Sequence, residues 1–156
     1  MAVLRRLLKH SLFSEGQFMN TQSLFSLGLL MSRGKTIEKI DQLIKMVDSN
    51  GDGQITTTKV QQIIERMTII SALLIPILPL IDAFPTVGKE KLEDIDAWTK
   101  NITHYLFSHE LRISAVVLTV KVEREFKFIF SANSLRRKYF AKWNPEIAAT
   151  QKTENH

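Results

Sequence analysis

A polar stretch of twelve residues, Asp48–Lys59, separates two segments whose apolar residues repeat at the spacing of an α-helix. The first segment has charged residues on its opposite face, and the second segment resumes the same period after the polar stretch. The apolar residues of the two stripes are Ile37, Ile40, Leu43, Ile44, Val47, Val60, Ile63, Ile64 and Met67. This pattern predicts a helix, a loop and a second helix within residues 34–67.

The composition is that of an ordinary globular protein. The chain has 156 residues, 44% of them hydrophobic and 24% charged, which corresponds to about one domain with a real core. It has no cysteine, which excludes disulfides, thiolate zinc sites and a thiol nucleophile. The net charge of +5 is a mild bias towards anionic partners. We expect a mostly α fold.

The loop carries oxygen-bearing residues at the spacing that a calcium ion requires. The candidate ligands are Asp48, Asn50 and Asp52 at loop positions 1, 3 and 5, the backbone carbonyl of Gln54 at position 7, and Thr56 at position 9. Gly53 stands at position 6, where the chain must turn sharply, and the apolar Ile55 stands at position 8. Together with the flanking helices, this loop resembles the EF-hand (calmodulin-like) calcium-binding motif in single copy. The resemblance implies Ca²⁺ as the cofactor.

Position 12 of the loop departs from that motif. It should hold a bidentate glutamate and holds Lys59 instead, which removes two oxygen ligands and adds a positive charge. Affinities in the family run from about 10⁻⁹ to 10⁻³ M, and this loop should lie at the weak end or beyond it. A second interpretation places the Lys59 ammonium between Asp48 and Asp52, where it holds the loop closed without a metal.

The resemblance also implies a second hand, because these motifs pair through their position-8 residues. The sequence offers no second loop with the oxygen-rich spacing. Ile55 is therefore left without an evident partner in the chain. A degenerate second hand, a homodimer and docking to another protein all remain open.

Residues 1–33 form a basic amphipathic or targeting segment. One helical face carries Leu4, Leu7 and Leu8, and the opposite side carries Arg5 and Arg6. No acidic residue precedes Glu15. This pattern is typical of a mitochondrial transit peptide. The alternative is an ordinary basic helix that packs on the body of the protein, with a cytoplasmic location.

Residues 68–85 form an apolar strip that Pro76 and Pro79 interrupt. Its uncharged run is shorter than the roughly 20 residues that a membrane-spanning helix needs, and the prolines would kink any helix. A buried core segment or a surface that binds a partner is favoured over a span. Contact of residues 69–81 with a membrane surface remains open.

Residues 86–150 are predicted as a helical or α+β region. Lys89–Phe107 has helical period, whereas residues 115–130 alternate with period 2 and favour a β segment, with a helix as the open alternative. Residues 135–143 interleave cations with aromatic residues. They are either a solvated basic face with aromatics in the core or a surface for lipid headgroups or an acidic partner. Residues 151–156 are expected to be a loose tail.

No pattern typical of an enzyme occurs in the sequence: the four histidines have no metal-ligand spacing, and there is no Gly-rich phosphate loop or nucleophile elbow. We therefore expect a protein without enzymatic activity that gives weak or modulatory calcium-dependent regulation of a partner protein. The alternative is a calcium-independent accessory subunit of a larger mitochondrial or membrane-associated complex. Nucleic acid is a disfavoured partner.

Overall fold

The computed structural model describes residues 2–15, 18–84 and 86–148, and the tail expected to be loose at 151–156 lies outside them. The fold is mostly α, as expected, with two small antiparallel sheets. The labelled elements are α1 (Ala2–Leu8), β1 (Ser14–Glu15), β2 (Phe18–Met19), α2 (Thr21–Met31), α3 (Thr36–Val47), β3 (Gln54–Thr56), α4 (Thr57–Ile69), α5 (Lys89–Leu106), β4 (Arg112–Ser114), α6 (Ala115–Glu125) and α7 (Ala132–Phe140).

Helix α3 forms where the apolar stripe predicts it. The Glu38 carboxylate accepts a hydrogen bond from the Lys35 amide at 3.0 Å, which satisfies a backbone donor at the start of the helix. Ile40, Leu43 and Val47 are buried along one face of the helix, and the charged face points to solvent. The helix ends at Asp48, the first residue of the loop.

Helix α4 begins at Thr57, three residues before the first apolar residue of its stripe, and the helical run continues far beyond it. A π-helical turn over Ile70–Leu74 is followed by a 3₁₀ segment over Ile75–Ala83. Pro76 has no amide hydrogen for the Ala72 carbonyl four residues before it, so the α-helical bond pattern cannot continue there. The helix type therefore changes at the position where the prolines were predicted to interrupt the helix.

Strands β3 and β4 join two helix–loop–helix units into one body. Gln54 lies opposite Ser114, Ile55 opposite Ile113, and Thr56 opposite Arg112. The first unit is α3, the loop and α4; the second is α5, a short connection and α6. Ile55 is fully buried, and its partner is in the same chain. Ile55 thus has a ladder partner within the chain, in a second helix–loop–helix unit.

The region expected as a β segment at 115–130 takes the helical alternative. Only Arg112–Ser114, just before it, is a strand, and residues 115–125 form α6. The Ser114 hydroxyl accepts from the Val117 amide at 3.2 Å and caps the helix. Leu118 and Val122, four residues apart, are buried on one face. Capping and burial at helical spacing therefore outweigh the strand preference of the β-branched residues.

The N-terminal segment contributes to the core of the body. Leu7 and Phe13 are buried, and α1 packs against the 3₁₀ segment at Ile75–Ala83. Arg6 forms an ion pair with Asp82 at 2.9 Å, close to where the two elements meet. Part of the segment expected to be a targeting sequence thus packs on the body. The mitochondrial location stays a prediction.

The apolar strip lies within a helical run that is buried in part. Ile69, Ile70, Leu74 and Ile81 are core residues. The run Thr57–Ala83 is 27 residues long, and by length and composition alone it could cross a membrane. Half of its most apolar window is covered by the rest of the protein, and a core helix of a soluble protein meets the same criterion.

We expect the ladder residue Ile55 to matter more for stability than an isoleucine of α3 that lies near the surface. Ile55→Ala removes a fully buried side chain and should lower the free energy of unfolding by about 2–5 kcal/mol. Ile37→Ala, at a site that is 48% exposed, should cost about 1 kcal/mol or less. Urea unfolding followed by circular dichroism measures both, and equal losses would contradict the role given to Ile55.

Candidate functional site

Two glycines give the Asp48–Lys59 loop its shape. Gly51 and Gly53 have φ of 68° and 76°, in the left-handed region that side chains with a Cβ rarely adopt. The Gly51 amide donates to the Asp48 carbonyl at 3.3 Å, and the Gly53 amide donates to the Asp48 carboxylate at 3.0 Å. Both bonds fold the loop back onto its first residue.

Asp48 has one carboxylate oxygen that is buried and makes no hydrogen bond. Its Oδ2 accepts the bond from Gly53, whereas its Oδ1 is buried and has no hydrogen-bond partner in the structure. A buried carboxylate oxygen without a partner is costly because it has lost its hydration. A bound cation at this point would compensate that cost. Asp48 is the residue expected to be the first ligand.

Asp52 is exposed and held by neighbouring amides. Its Oδ1 accepts from the Gln54 amide at 2.9 Å, and its Oδ2 accepts from the Asn50 side-chain amide at 3.3 Å. The Gln54 amide bond holds the pKa of Asp52 below its ordinary value, so the carboxylate stays ionised to lower pH. The Asn50 oxygen accepts from the Asp52 amide at 3.4 Å.

The backbone of β3 turns the Gln54 carbonyl to the loop side. The Gly53 carbonyl accepts from Ala115, and the Thr57 amide donates to Leu111, so residues 53 and 57 direct these groups towards the β4 side. Alternate residues of an antiparallel ladder face opposite ways, so the Gln54 carbonyl points away from β4. Its amide already bonds Asp52 on that side. Thr56 precedes α4, and its hydroxyl makes no capping bond.

Lys59 bridges the two ends of the loop without lying between the two aspartates. Its ammonium donates to the Ser49 hydroxyl at 3.2 Å, and it forms no ion pair with Asp48 or Asp52. The interpretation that places this ammonium between the two aspartates is therefore wrong for this structure. The side chain leaves the first turn of α4 at an exposed position and bonds the Ser49 hydroxyl at the start of the loop instead.

The five expected ligand residues thus fit a hard cation in part. They supply carboxylate, amide, carbonyl and hydroxyl oxygens, which are the donors that calcium prefers. They fall short of the about six to eight oxygens of a full calcium shell, because the bidentate group is missing. Within residues 2–15, 18–84 and 86–148, no group of three or more His, Cys, Asp or Glu side chains is placed to hold a metal ion, the loop included.

The second loop differs from the first at its first and last positions. Ile113 pairs with Ile55, the eighth residue of the first loop, so the register aligns residues 106–117 with residues 48–59. The positions that hold Asp48 and Lys59 in the first loop hold Leu106 and Val117 in the second. The Glu110 and Leu111 carbonyls instead accept from the Thr57 hydroxyl at 2.8 and 3.0 Å. This loop therefore supports the first loop, and its own first and last positions carry no oxygen-bearing side chain.

The basic and aromatic residues at 135–143 are used within the protein. Leu135 and Tyr139 are buried, and the Lys138 ammonium lies 4.4 Å from the centre of the Trp143 ring. Lys142 forms an ion pair with Asp94 at 2.9 Å, and Asp94 also accepts from the Tyr139 hydroxyl. Tyr139 thus fits the interpretation with aromatics in the core, whereas Phe140 is 59% exposed. Contact with a membrane surface stays a prediction.

Comparison with known proteins adds no relative. No protein-family model matches the chain, and no match is found among curated proteins or among solved structures. Function is therefore argued from the geometry of the loop and the elements around it.

We expect Gly53 to be required for the loop conformation. Gly53→Ala forces a Cβ into a left-handed backbone and should cost about 1–2 kcal/mol of stability. Gly28→Ala is the matched control: it lies inside α2 with nothing near the added Cβ and should gain about 0.5–1 kcal/mol. Thermal unfolding measures both, and a neutral Gly53→Ala would contradict this account.

Proposed function

We propose that this protein is an EF-hand protein with two paired helix–loop–helix units, of which the first binds calcium weakly and modulates contact with a partner protein. The observation that carries this proposal is the buried, unpartnered Oδ1 of Asp48 at the first ligand position. The Gln54 carbonyl and the Asp52 carboxylate lie on the same side of the ladder. The role proposed is one of binding and involves no enzymatic step.

The charges around the loop make the proposed site weak. Two carboxylates contribute negative charge, and the Lys59 ammonium bonds Ser49, the residue next to Asp48. A positive charge beside the first ligand position repels a cation. Because affinity in this family follows ligand charge, we expect binding at the millimolar end of the range, about 10⁻⁴ to 10⁻³ M.

The groove between α3 and α6 is the surface we propose for the partner. It is an open cleft of about 330 Å³ lined by Ile37, Ile40, Ile44 and Thr119 together with the acidic Glu38 and Asp41. Val116 and Val120 of α6 are exposed. Both helices are tied to the two loops, since α3 ends at Asp48 and α6 begins directly after β4. A change in the conformation of the first loop would therefore change the shape of this groove.

A second candidate function rests on the C-terminal segment 127–140. Its 3₁₀ turn at Lys127–Phe130 contacts α3 and α4, and α7 contacts α4 and the π-helical turn. Phe130, Leu135 and Tyr139 are buried in these contacts. The chain thus covers apolar surface that a calcium sensor would expose on opening. This favours a calcium-independent accessory subunit of a larger mitochondrial or membrane-associated assembly, with a cytoplasmic location as the alternative.

Calcium titration of the full chain by calorimetry tests the proposed site. Lys59→Glu should strengthen binding by at least about tenfold, because it removes a repelling charge and supplies the missing carboxylate. Asp48→Ala should abolish binding. Lys127→Glu makes the same charge change at an exposed position outside the loop and should leave the affinity unchanged. If neither the wild type nor Lys59→Glu takes up calcium, the calcium-binding function is refuted.

An apolar dye distinguishes regulation from a purely structural role. If calcium modulates partner contact, saturating calcium should increase the fluorescence of an anilinonaphthalene sulfonate dye, because apolar surface near the α3–α6 groove opens. Magnesium at the same concentration is the control ion, since it demands a tighter octahedral shell and should have little effect. Unchanged fluorescence in a sample shown to bind calcium would support the accessory-subunit candidate.

A further inference from the structure

A cavity of about 540 Å³ lies on the N-terminal side of the body, away from the loop. It is bordered by the turn after α1, the helical run that ends at Ala83 and the start of α5, and it is partly open to solvent. Its walls are mostly apolar, formed by Leu73, Leu74, Ile77, Phe84 and Val87. This volume is in the range of sites that hold a small organic ligand, about 300–1,000 Å³.

His10 brings an unsatisfied donor to this cavity. The side chain is only 3% exposed, and its Nδ1 accepts from the Leu12 amide at 3.1 Å, which leaves the proton on Nε2. Nε2 is buried and has no hydrogen-bond partner. Burial lowers the pKa of His10; the Phe84 carbonyl opposes that shift but makes no hydrogen bond of normal geometry with Nε2. A buried N–H in an apolar wall requires an acceptor.

The first turn of α5 brings further donors. Gly88 precedes the helix and gives no side-chain cap, and the first amide bonded to it is that of Leu92. The amides of Lys89, Glu90 and Lys91 therefore have no partner within the helix, and these residues line the cavity. The positive end of the helix dipole favours an anion here. Two of the three side chains, Lys89 and Lys91, are cationic. The Lys89 ammonium also forms an ion pair with Glu93 at 3.7 Å.

We infer that this cavity binds an amphiphile with a single carboxylate head and an apolar tail, such as a medium-chain fatty acid. The apolar walls fit the tail and disfavour a fully polar anion, which would lose its hydration without compensation. The His10 N–H, the first amides of α5 and the two lysines outnumber the one carboxylate of the lining, that of Glu90, and a carboxylate head accepts from them. This inference is independent of the calcium loop, because no residue is shared between the two sites.

Calorimetry with decanoate on the full chain tests the inference. We expect saturable binding of one decanoate per chain at neutral pH. Decanol has the same tail without the anion and should bind at least about tenfold more weakly, since hydrogen bonds to a charged group are lost. Acetate, the anion without the tail, should show no binding. Decanol equal to decanoate, or no binding of decanoate at millimolar concentration, would overturn the inference.

Variants locate the ligand within the cavity. Ile77→Trp places an indole in the tail space and should abolish decanoate binding. Lys91→Glu reverses a charge at the exposed rim and should weaken binding by about tenfold, whereas Lys127→Glu should have no effect. His10→Gln keeps a donor, so it should retain more affinity than His10→Leu. If Ile77→Trp fails to fold, Lys91→Glu decides, because wild-type affinity in that folded variant would also overturn the inference.

Discussion

The pairing of Ile55 with Ile113 is the contact on which the rest of the structure depends. Both strands are only three residues long, yet they join the α3–α4 unit to the α5–α6 unit and fix the register between their loops. Ile55 is fully buried at this junction. The same ladder orients the Gln54 carbonyl towards the candidate ligands and supports α4 through the bond from the Thr57 hydroxyl to Glu110. A single ladder thus serves both stability and the shape of the candidate site.

The sequence predicts the first helix–loop–helix unit well, because three independent patterns agree there. The apolar stripe gives both helices, the glycine spacing gives the turn, and the oxygen-bearing residues give the loop positions. Helix α3 begins at Thr36, one residue before Ile37, the first apolar residue of its stripe. Gly53 has the positive φ that its position requires. The direction of the Lys59 side chain could not be predicted, because a long flexible side chain can satisfy its charge in several ways. Local sequence does not select among them.

The second unit could not be identified in the same way. Its loop has the isoleucine that pairs, but Leu111 stands at the position of Gly53 and Leu106 at that of Asp48. Of the two aspartate positions, only that of Asp52 has an acid in the second loop, Glu110. The sequence signal for this second loop is Ile113, the eighth residue of the segment 106–117. The helix after it was also obscured, since α6 is rich in valine and alternates like a strand. The cap on Ser114 and the buried pair Leu118 and Val122 decide in favour of the helix.

The central claim is that one of two paired loops still attracts a divalent cation. Amide resonances of the full chain, followed by two-dimensional nitrogen–proton spectroscopy during addition of calcium, test it most directly. The account predicts saturable shifts that are largest for Gly53 and Gln54 and that extend across the ladder to Arg112–Ser114, while residues of α7 stay still. Spectra that do not change at saturating calcium, or shifts spread evenly over the exposed acidic residues, would contradict it.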